Sequence, residues 1–432
     1  MSREAPTVSV LTLGCKLNQA DSERMARRLA GEGVRVTDRP VRGADAFVIN
    51  TCSVTHVADR KARHLTRLAR RLSPDAEIVL TGCYAETAPA NVLDLTGADT
   101  LVRGGEKGSV PDRLLERLQE RGDPSAGCAT PVRGGLRTRA FVKMQEGCNE
   151  LCAFCIVPYT RGREVSVPID RVVEEVQSRE AEGVQEVVLT GTQLGNYGRD
   201  LGWREQGPRR LLEALLARTS VPRIRLSSLQ AQDISPELID LWADRRLCPH
   251  FHLPLQSGSD GILGPMRRRY TAERYRAALA VVRERVPDVA ITTDVIAGFP
   301  GESEEDFDAT LSLCRGAGFA AIHAFPYSRR PHTGAALMAG HLPPAVRRSR
   351  LERLLEIASD AALVFRQRFL ERTFEVLWEQ ESSGRWQGLT PNYIRVYTSA
   401  DCDLTNRVLP TRLLCVEGDE TIGELAAVHA PA

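Results

Sequence analysis

The stretch Ala140-Phe141-Val142-Lys143-Met144-Gln145-Glu146-Gly147-Cys148-Asn149-Glu150-Leu151-Cys152-Ala153-Phe154-Cys155 decides how this chain of 432 residues is read. It begins as a short apolar run of strand type and ends in three cysteines on one loop, spaced Cys-x3-Cys-x2-Cys. A closed cubane iron–sulfur cluster takes four thiolates. Three on one loop hold three irons and leave the fourth open to a small molecule. In a chain with eleven cysteines, a triple of this spacing arises by chance at about 0.7%. The spacing also suits a zinc loop or three buried thiols.

Downstream, strand-like runs begin near Ala140, Glu186, Arg223, His250, Ala290 and Ala321, and the first five are each followed by a helical stretch such as Ile169 to Glu182 or Thr271 to Val286. Six βα units predict a partial (β/α)6 barrel, whose reactive groups belong on loops at the carboxyl ends of its strands. The cysteine loop follows the first strand of that series. Upstream, Val8 to Leu13, Ala46 to Asn50 and Glu77 to Thr81 alternate with helical stretches such as Asp21 to Glu32 and Ala58 to Leu72. This is the pattern of a parallel-sheet α/β domain. Cys15, Cys52 and Cys83 each sit one to three residues past the end of one of these strands. Such loops share one sheet edge, where ligand sites form, so the three cysteines are expected to converge on one metal centre. Taken singly, each would be a small buried residue ending a strand.

Residues 120–138 lose periodicity and gain turn formers, which predicts a linker. After a long helical stretch, Pro344 to Arg372, the runs Phe374 to Trp378, Tyr393 to Val396 and Arg412 to Val416 predict a small antiparallel β domain, barrel or sandwich. The expected division is 6–119, linker 120–138, 139–372 and 373–432. Apolar residues at 42% and charged ones at 26% suit a folded chain with two or three cores. There is no apolar leader after Met1, and no uncharged apolar stretch of the ~18 residues a span needs, so a cytoplasmic location without membrane contact is expected. Thiols stay reduced there, and clustered cysteines then point to metal or redox chemistry. The formal charge of +1 neither demands nor excludes nucleic acid.

The segment Gly147 to Cys155, with Phe154 before its last cysteine, resembles the radical S-adenosylmethionine (SAM) superfamily. The upstream cysteines and the β-rich tail narrow the resemblance to its methylthiotransferases, which combine a cluster-binding N-terminal domain, a radical SAM partial barrel and a TRAM domain, and it covers nearly the whole chain. Gly14-Cys15-Lys16-Leu17-Asn18-Gln19-Ala20-Asp21, Asn50-Thr51-Cys52-Ser53-Val54-Thr55 and Ala58-Asp59-Arg60-Lys61 look most like the branch acting on threonylcarbamoyladenosine in tRNA. The isopentenyladenosine and ribosomal-protein branches usually differ after the first cysteine.

The resemblance implies that Cys148, Cys152 and Cys155 hold a 4Fe-4S cluster whose open iron chelates SAM. It further implies that Phe154 flanks the adenine, and that Gly191, Thr192, Ser227, Gln256 and Ile296 line the SAM pocket. Cys15, Cys52 and Cys83 would bind an auxiliary 4Fe-4S cluster that carries sulfur. By the family's chemistry, one SAM methylates that sulfur, a second yields a 5′-deoxyadenosyl radical, and the methylthio group replaces the hydrogen at C2 of the adenine. An electron donor such as flavodoxin or ferredoxin is implied, and the oligomeric state is left open. No side-chain acid or base is required.

The partner implied is the anticodon stem-loop of tRNA. Arg60, Lys61, Arg63 and Arg67 recur at three- and four-residue steps after Cys52, as a phosphate-binding helix face would. Tyr159, Arg161 and Arg163 follow the other cysteine loop, and Arg267-Arg268-Arg269-Tyr270 forms a further basic group. A solvated face without a partner explains such runs equally well. Residues 373–432 carry nine acidic residues against four arginines, a net charge of −5, unusual for an RNA-binding barrel, although Gly388-Leu389-Thr390-Pro391-Asn392-Tyr393 resembles the TRAM signature. Two departures from the family pattern stand out: Gln230-Ala231 replaces a common Glu-Pro, and His332 stands where glycine is usual. The alternatives within the same class are methylthiolation of isopentenyladenosine in tRNA or of a ribosomal protein, and the alternative from a different class is a zinc-stabilised RNA-binding module or electron carrier without catalysis.

Overall fold

A computed structural model describes residues 5–89, 91–120, 138–203 and 206–426. Five strands, β1 (Thr7–Thr12), β2 (Arg35–Thr37), β3 (Ala46–Thr51), β4 (Glu77–Gly82) and β5 (Thr100–Val102), form one parallel sheet in the order β2-β1-β3-β4-β5. β3 and β4 are buried along their whole length, as expected of central parallel strands with helices on both faces. Helices α1 (Lys16–Gly31), α2 (His56–Leu72) and α3 (Cys83–Thr87) start directly beyond β1, β3 and β4. Their amino ends therefore sit along the same sheet edge as the strand-end cysteines. Thr55 caps α2 by accepting a hydrogen bond from the Ala58 amide at 3.3 Å.

The expected linker lies, for residues 121–137, outside the described residues. Beyond it, β6 (Arg139–Lys143) leads into a two-stranded ribbon, β7 (Gln145–Glu146) and β8 (Val165–Ser166), which brackets the second cysteine loop. β9 (Glu186–Thr190) and β10 (Arg223–Leu226) extend β6 in parallel. β11 (His250–His252), β12 (Ala290–Ala297) and β13 (Ala321–Pro326) form a second parallel set, joined to the first by a bridge between Ile224 and Leu247. All six expected strands are present, and they form an open arc in chain order. α1 lies against the β6 edge, where Ala20 packs on Phe141 and Val188. The long helix Pro344–Gln367 runs along β13 at the other edge.

The tail is a closed barrel of β14 (Thr373–Ser382), β15 (Arg385–Leu389), β16 (Arg395–Thr398), β17 (Val408–Glu417) and β18 (Glu420–Leu425). Trp378, Leu413 and Val396 fill it, and Phe365 of the long helix and Phe369 of the turn that follows enter the same cluster. Two of these strands, β15 and β18, are not marked in the sequence, and Tyr393 lies outside β16 in a left-handed turn with φ 69°. The Thr390 hydroxyl closes that turn by accepting from the Ile394 amide at 2.8 Å. The turn thereby aims Tyr393 at the arc, where its ring stacks on His250 at 4.1 Å. Arg225 reaches the Pro391 carbonyl at 3.0 Å and Arg223 the Leu389 carbonyl at 3.1 Å. The TRAM-like signature is therefore a docking loop against the central domain.

Candidate active site

The three strand-end cysteines of the first domain meet. Gly14 has φ +104°, and a β-carbon there would lie 2.5 Å from the Cys52 β-carbon and 2.9 Å from its Sγ. The Cys15 and Cys52 loops thus touch through a position that only glycine fills. Gly82, before Cys83, also has positive φ and abuts Thr51. Asn18 ties the loops together, donating to the Leu13 carbonyl at 2.7 Å and the Thr51 carbonyl at 2.9 Å, while Asn50 donates back to the Asn18 carbonyl at 2.9 Å. Burial pushes the Cys52 thiol up to about 11, with the Cys83 and Cys15 sulfurs adding to the effect.

The second triad is built on a loop held from both sides. The Cys155 amide donates to the Cys152 carbonyl at 3.0 Å, and the Glu150 amide lies 3.3 Å from Cys148 Sγ. Gly147, at φ +74°, leaves no room for a side chain beside the Arg163 backbone. Burial raises Cys148 to about 11 and Cys155 to about 12, and in each case the neighbouring triad sulfurs contribute. Arg268 places Nη1 3.4 Å from Cys152 Sγ, and its Nε donates to the Tyr270 hydroxyl at 3.0 Å. Buried thiols of this kind become thiolates only beside a cation, so the chemistry of both donor sets fits a metal centre.

A cavity of about 650 Å³ lies between the triads, with Cys15 and Cys52 on one wall and Phe154 and Cys155 on the other. Gln256, Asp294, Ile296 and Tyr327 complete much of the lining, and Lys61 stands on its rim. Gln256 holds φ 64°, a strained conformation for a side chain with a β-carbon and one that clusters at functional sites. Gly191, Thr192 and Ser227 lie on the neighbouring ends of β9 and β10, outside this lining. Among the described residues the buried hydroxyls of Thr192 and Ser227 have no hydrogen-bond partner, which suits a polar ligand that contains its own donors and acceptors. Gln145 organises this side, accepting from the Thr192 and Gln193 amides at 2.9 and 3.0 Å and donating to the Gly147 carbonyl at 2.7 Å.

The expected RNA-facing residues separate. Arg60, Lys61 and Arg67 on α2 are exposed, while Arg63 is half-buried with Nη1 3.3 Å from the Tyr84 hydroxyl. Tyr159 is 57% exposed, and Arg163 is exposed as well. Arg161 is placed otherwise than expected: its side chain is only 4% exposed, with Glu146 at 2.6 Å and Asp21 at 3.5 Å. Burial opposes its charge, but Cys83, Cys15, Asp21 and Glu146 outweigh that and raise its pKa. Arg161 therefore faces the auxiliary cysteines and not solvent. Arg268 is likewise turned inward, toward Cys152, out of the basic run in which it stands.

The sequence assigns no site role to two further contributors. Arg330, 4% exposed, crosses to the first domain and donates to Ser53 at 2.7 Å and Asp59 at 2.9 Å. Asp21 is buried among Lys107 at 2.8 Å, Lys143 at 2.9 Å and Arg161. These contacts join segments up to 277 residues apart, a separation that no local pattern reports. His252, Asp294 and His323 bring three donor atoms within 4.8 Å of one another on adjacent strands.

A family model described as the radical SAM superfamily matches residues 142–314, and one described as Uncharacterized protein family UPF0004 matches residues 7–104. The solved radical S-adenosylmethionine methyltransferase TsrM from Kitasatospora setae shares the fold, with a TM-score of 0.56 and 17% identity over 77% of each chain. The half-barrel and its cysteine loop thus define a radical SAM enzyme, which uses SAM and a 4Fe-4S cluster. The threonylcarbamoyladenosine tRNA methylthiotransferase MtaB of Bacillus subtilis is 34% identical over 94% of this chain and 94% of its own length. Its counterpart in Aquifex aeolicus is 36% identical over 90% and 96%. The tRNA-2-methylthio-N(6)-dimethylallyladenosine synthase of Chloroflexus aurantiacus is 36% identical over 94% and 88%. The chain belongs to the radical SAM tRNA methylthiotransferase family. Among the described residues no helix is long and apolar enough to cross a membrane.

Proposed function

We propose that this enzyme transfers a methylthio group to C2 of N6-threonylcarbamoyladenosine at position 37 of tRNA, and that Cys15, Cys52 and Cys83 hold a second 4Fe-4S cluster for the purpose. The observation that carries this reading is the single cavity walled by sulfurs of both triads. When bound, the clusters and SAM supply the methyl group, the sulfur and the hydrogen-abstracting radical.

The chain's part is to hold and orient. Cys148, Cys152 and Cys155 grip the first cluster, with the Arg268 guanidinium offsetting their charge. Arg161 does the same for the auxiliary set, and Asn18 and Asn50 fix the loops of Cys15 and Cys52. Phe154 and Ile296 give the cavity an apolar wall that keeps water away, while Thr192, Ser227 and Gln256 offer polar contacts to SAM. Such fixed placement lets two partners react without paying again for orientation. Lys61 stands on the rim without an ion pair among the described residues. It favours a substituent that ends in a carboxylate, which threonylcarbamoyl has and dimethylallyl lacks. Arg60, Arg63, Arg67 and Arg163 supply further cations for the anticodon stem-loop, and a flavodoxin or ferredoxin in the cytoplasm would deliver electrons.

Mass spectrometry of tRNA nucleosides from cells with and without the gene tests the substrate. Loss of 2-methylthio-threonylcarbamoyladenosine is the expected result. Loss of 2-methylthio-isopentenyladenosine in its place overturns the assignment.

A further inference from the structure

A second groove, of about 710 Å³, opens beside the central cavity and is lined in part by His56, Tyr159, Arg267, Arg329, His332 and Leu337. Three chain segments pass from one to the other. Thr55 and Val57 line the cavity and His56 the groove; Val157 lines the cavity and Tyr159 the groove; Ser328 lines the cavity and Arg329 the groove. The two spaces therefore share a rim.

Tyr159 and His332 form an aromatic pair with centroids 5.7 Å apart and planes inclined at 35°. Unlike a core pair, both rings belong to exposed residues. His332 holds φ +67° and Arg267 φ +59°, so two residues with β-carbons on one groove sit in the region that favours glycine. Strain of this kind persists where the surroundings enforce it, and it collects at ligand-binding positions. The surroundings here do enforce it. The Thr333 hydroxyl donates to the Arg330 carbonyl at 2.7 Å, the Ala335 amide donates to the Ala153 carbonyl at 2.7 Å, and the buried Arg330 anchors the loop to Asp59. Arg267 and Arg329 are exposed, and among the described residues neither makes an ion pair or a side-chain hydrogen bond. Aromatic planes flanked by unpaired guanidinium groups are the chemistry that holds an unstacked nucleobase and its phosphate.

We propose that this groove is a stacking site for the unpaired nucleotide next to the modified adenosine, with its base against Tyr159 and His332 and its phosphates near Arg267 and Arg329. The proposal rests on the tRNA reading and extends it to a neighbouring nucleotide. The test is anaerobic binding of the full-length holoenzyme to a labelled anticodon stem-loop, intact or abasic at each nucleotide flanking the target adenosine. H332G relieves the backbone and so folds at least as well as the parent; Y159A and Y159F complete the set. The expected result is binding weakened about tenfold by H332G and by Y159A, and restored in Y159F. An abasic nucleotide on one flank should weaken the parent by a similar factor yet leave H332G no weaker than before, the non-additivity expected of groups in contact. Unchanged binding in H332G and Y159A, or losses that multiply on both flanks, overturns the site while leaving the tRNA reading intact. Failure of the parent enzyme to bind the intact stem-loop overturns the tRNA reading, and this site with it.

Discussion

Arg268 and Arg161 set the charge around the two cysteine triads. Arg268 is the guanidinium against Cys152 Sγ, so Arg268→Met should leave the first cluster's thiolates under-compensated. Iron release to a chelator should quicken by about tenfold, the factor that loss of one charged hydrogen bond implies. Asp21 is the counter-charge to Lys107, Lys143 and Arg161. Burial alone would raise its pKa, but those three cations hold it well below the usual carboxylate range. A carboxylate depressed in the folded state contributes stability that is present above its unfolded pKa of about 4 and is lost as pH falls. Asp21→Asn should therefore cost about 3–5 kcal/mol at neutral pH, by leaving the buried Lys107 without its counter-charge and Lys143 and Arg161 with Glu146 alone. Denaturant midpoints of parent and variant should converge as pH falls below about 4. Lys61→Met should raise KM about tenfold for a stem-loop bearing the threonyl carboxylate and leave one bearing dimethylallyl unaffected, as steady-state kinetics on the two RNAs would report. At this scale the cysteines were legible because their spacing is the chemistry. The burial of Arg161 was not, since a basic residue beside a cluster loop reads alike whether it faces RNA or sulfur.

At the scale of elements, the turn that ends β1 does the most for the site. Gly14 lets the Cys15 loop lie against Cys52, and Gly14→Ala would add a β-carbon 2.5 Å from that of Cys52. Iron bound at the auxiliary site should be lost while the strands and helices persist, a result that iron analysis with circular dichroism would show. β1, β3 and β4 of the first sheet and the six strands of the arc are readable because strands buried on both faces, such as β3, are largely continuous apolar runs, whereas the edge strands β2 and β5 are three residues each and are not marked in the sequence. β15 and β18 carry no such run: Arg385-Trp386-Gln387-Gly388-Leu389 and Glu420-Thr421-Ile422-Gly423-Glu424-Leu425 mix polar residues and glycine with few apolar ones. They are fixed by barrel closure and not by local preference. The turn at Tyr393 was hidden for the same reason, because its φ is set by a hydroxyl contact and by the ring's stack on His250.

At the scale of the molecule, three domains are arranged so that one cavity has sulfur on two walls. Arg330 and the Asp21 cluster clamp the first domain to the half-barrel on separate segments. The acidic β barrel is fastened to the arc by its own signature loop through Arg223, Arg225 and His250. Its role is thus partly structural, which accords with its charge of −5. The domain order follows from the sequence, but the shared cavity depends on contacts between distant segments that appear only when the chain is folded. Anaerobic reconstitution tests the central claim most directly, with iron, sulfide and SAM cleavage measured on the parent and on a variant with Cys15, Cys52 and Cys83 changed to Ala. Two cubanes predict about eight irons in the parent and about four in the variant, with SAM still cleaved by the variant but no methylthio product formed. Equal iron in both proteins, or methylthiolated RNA from the variant, would contradict the account.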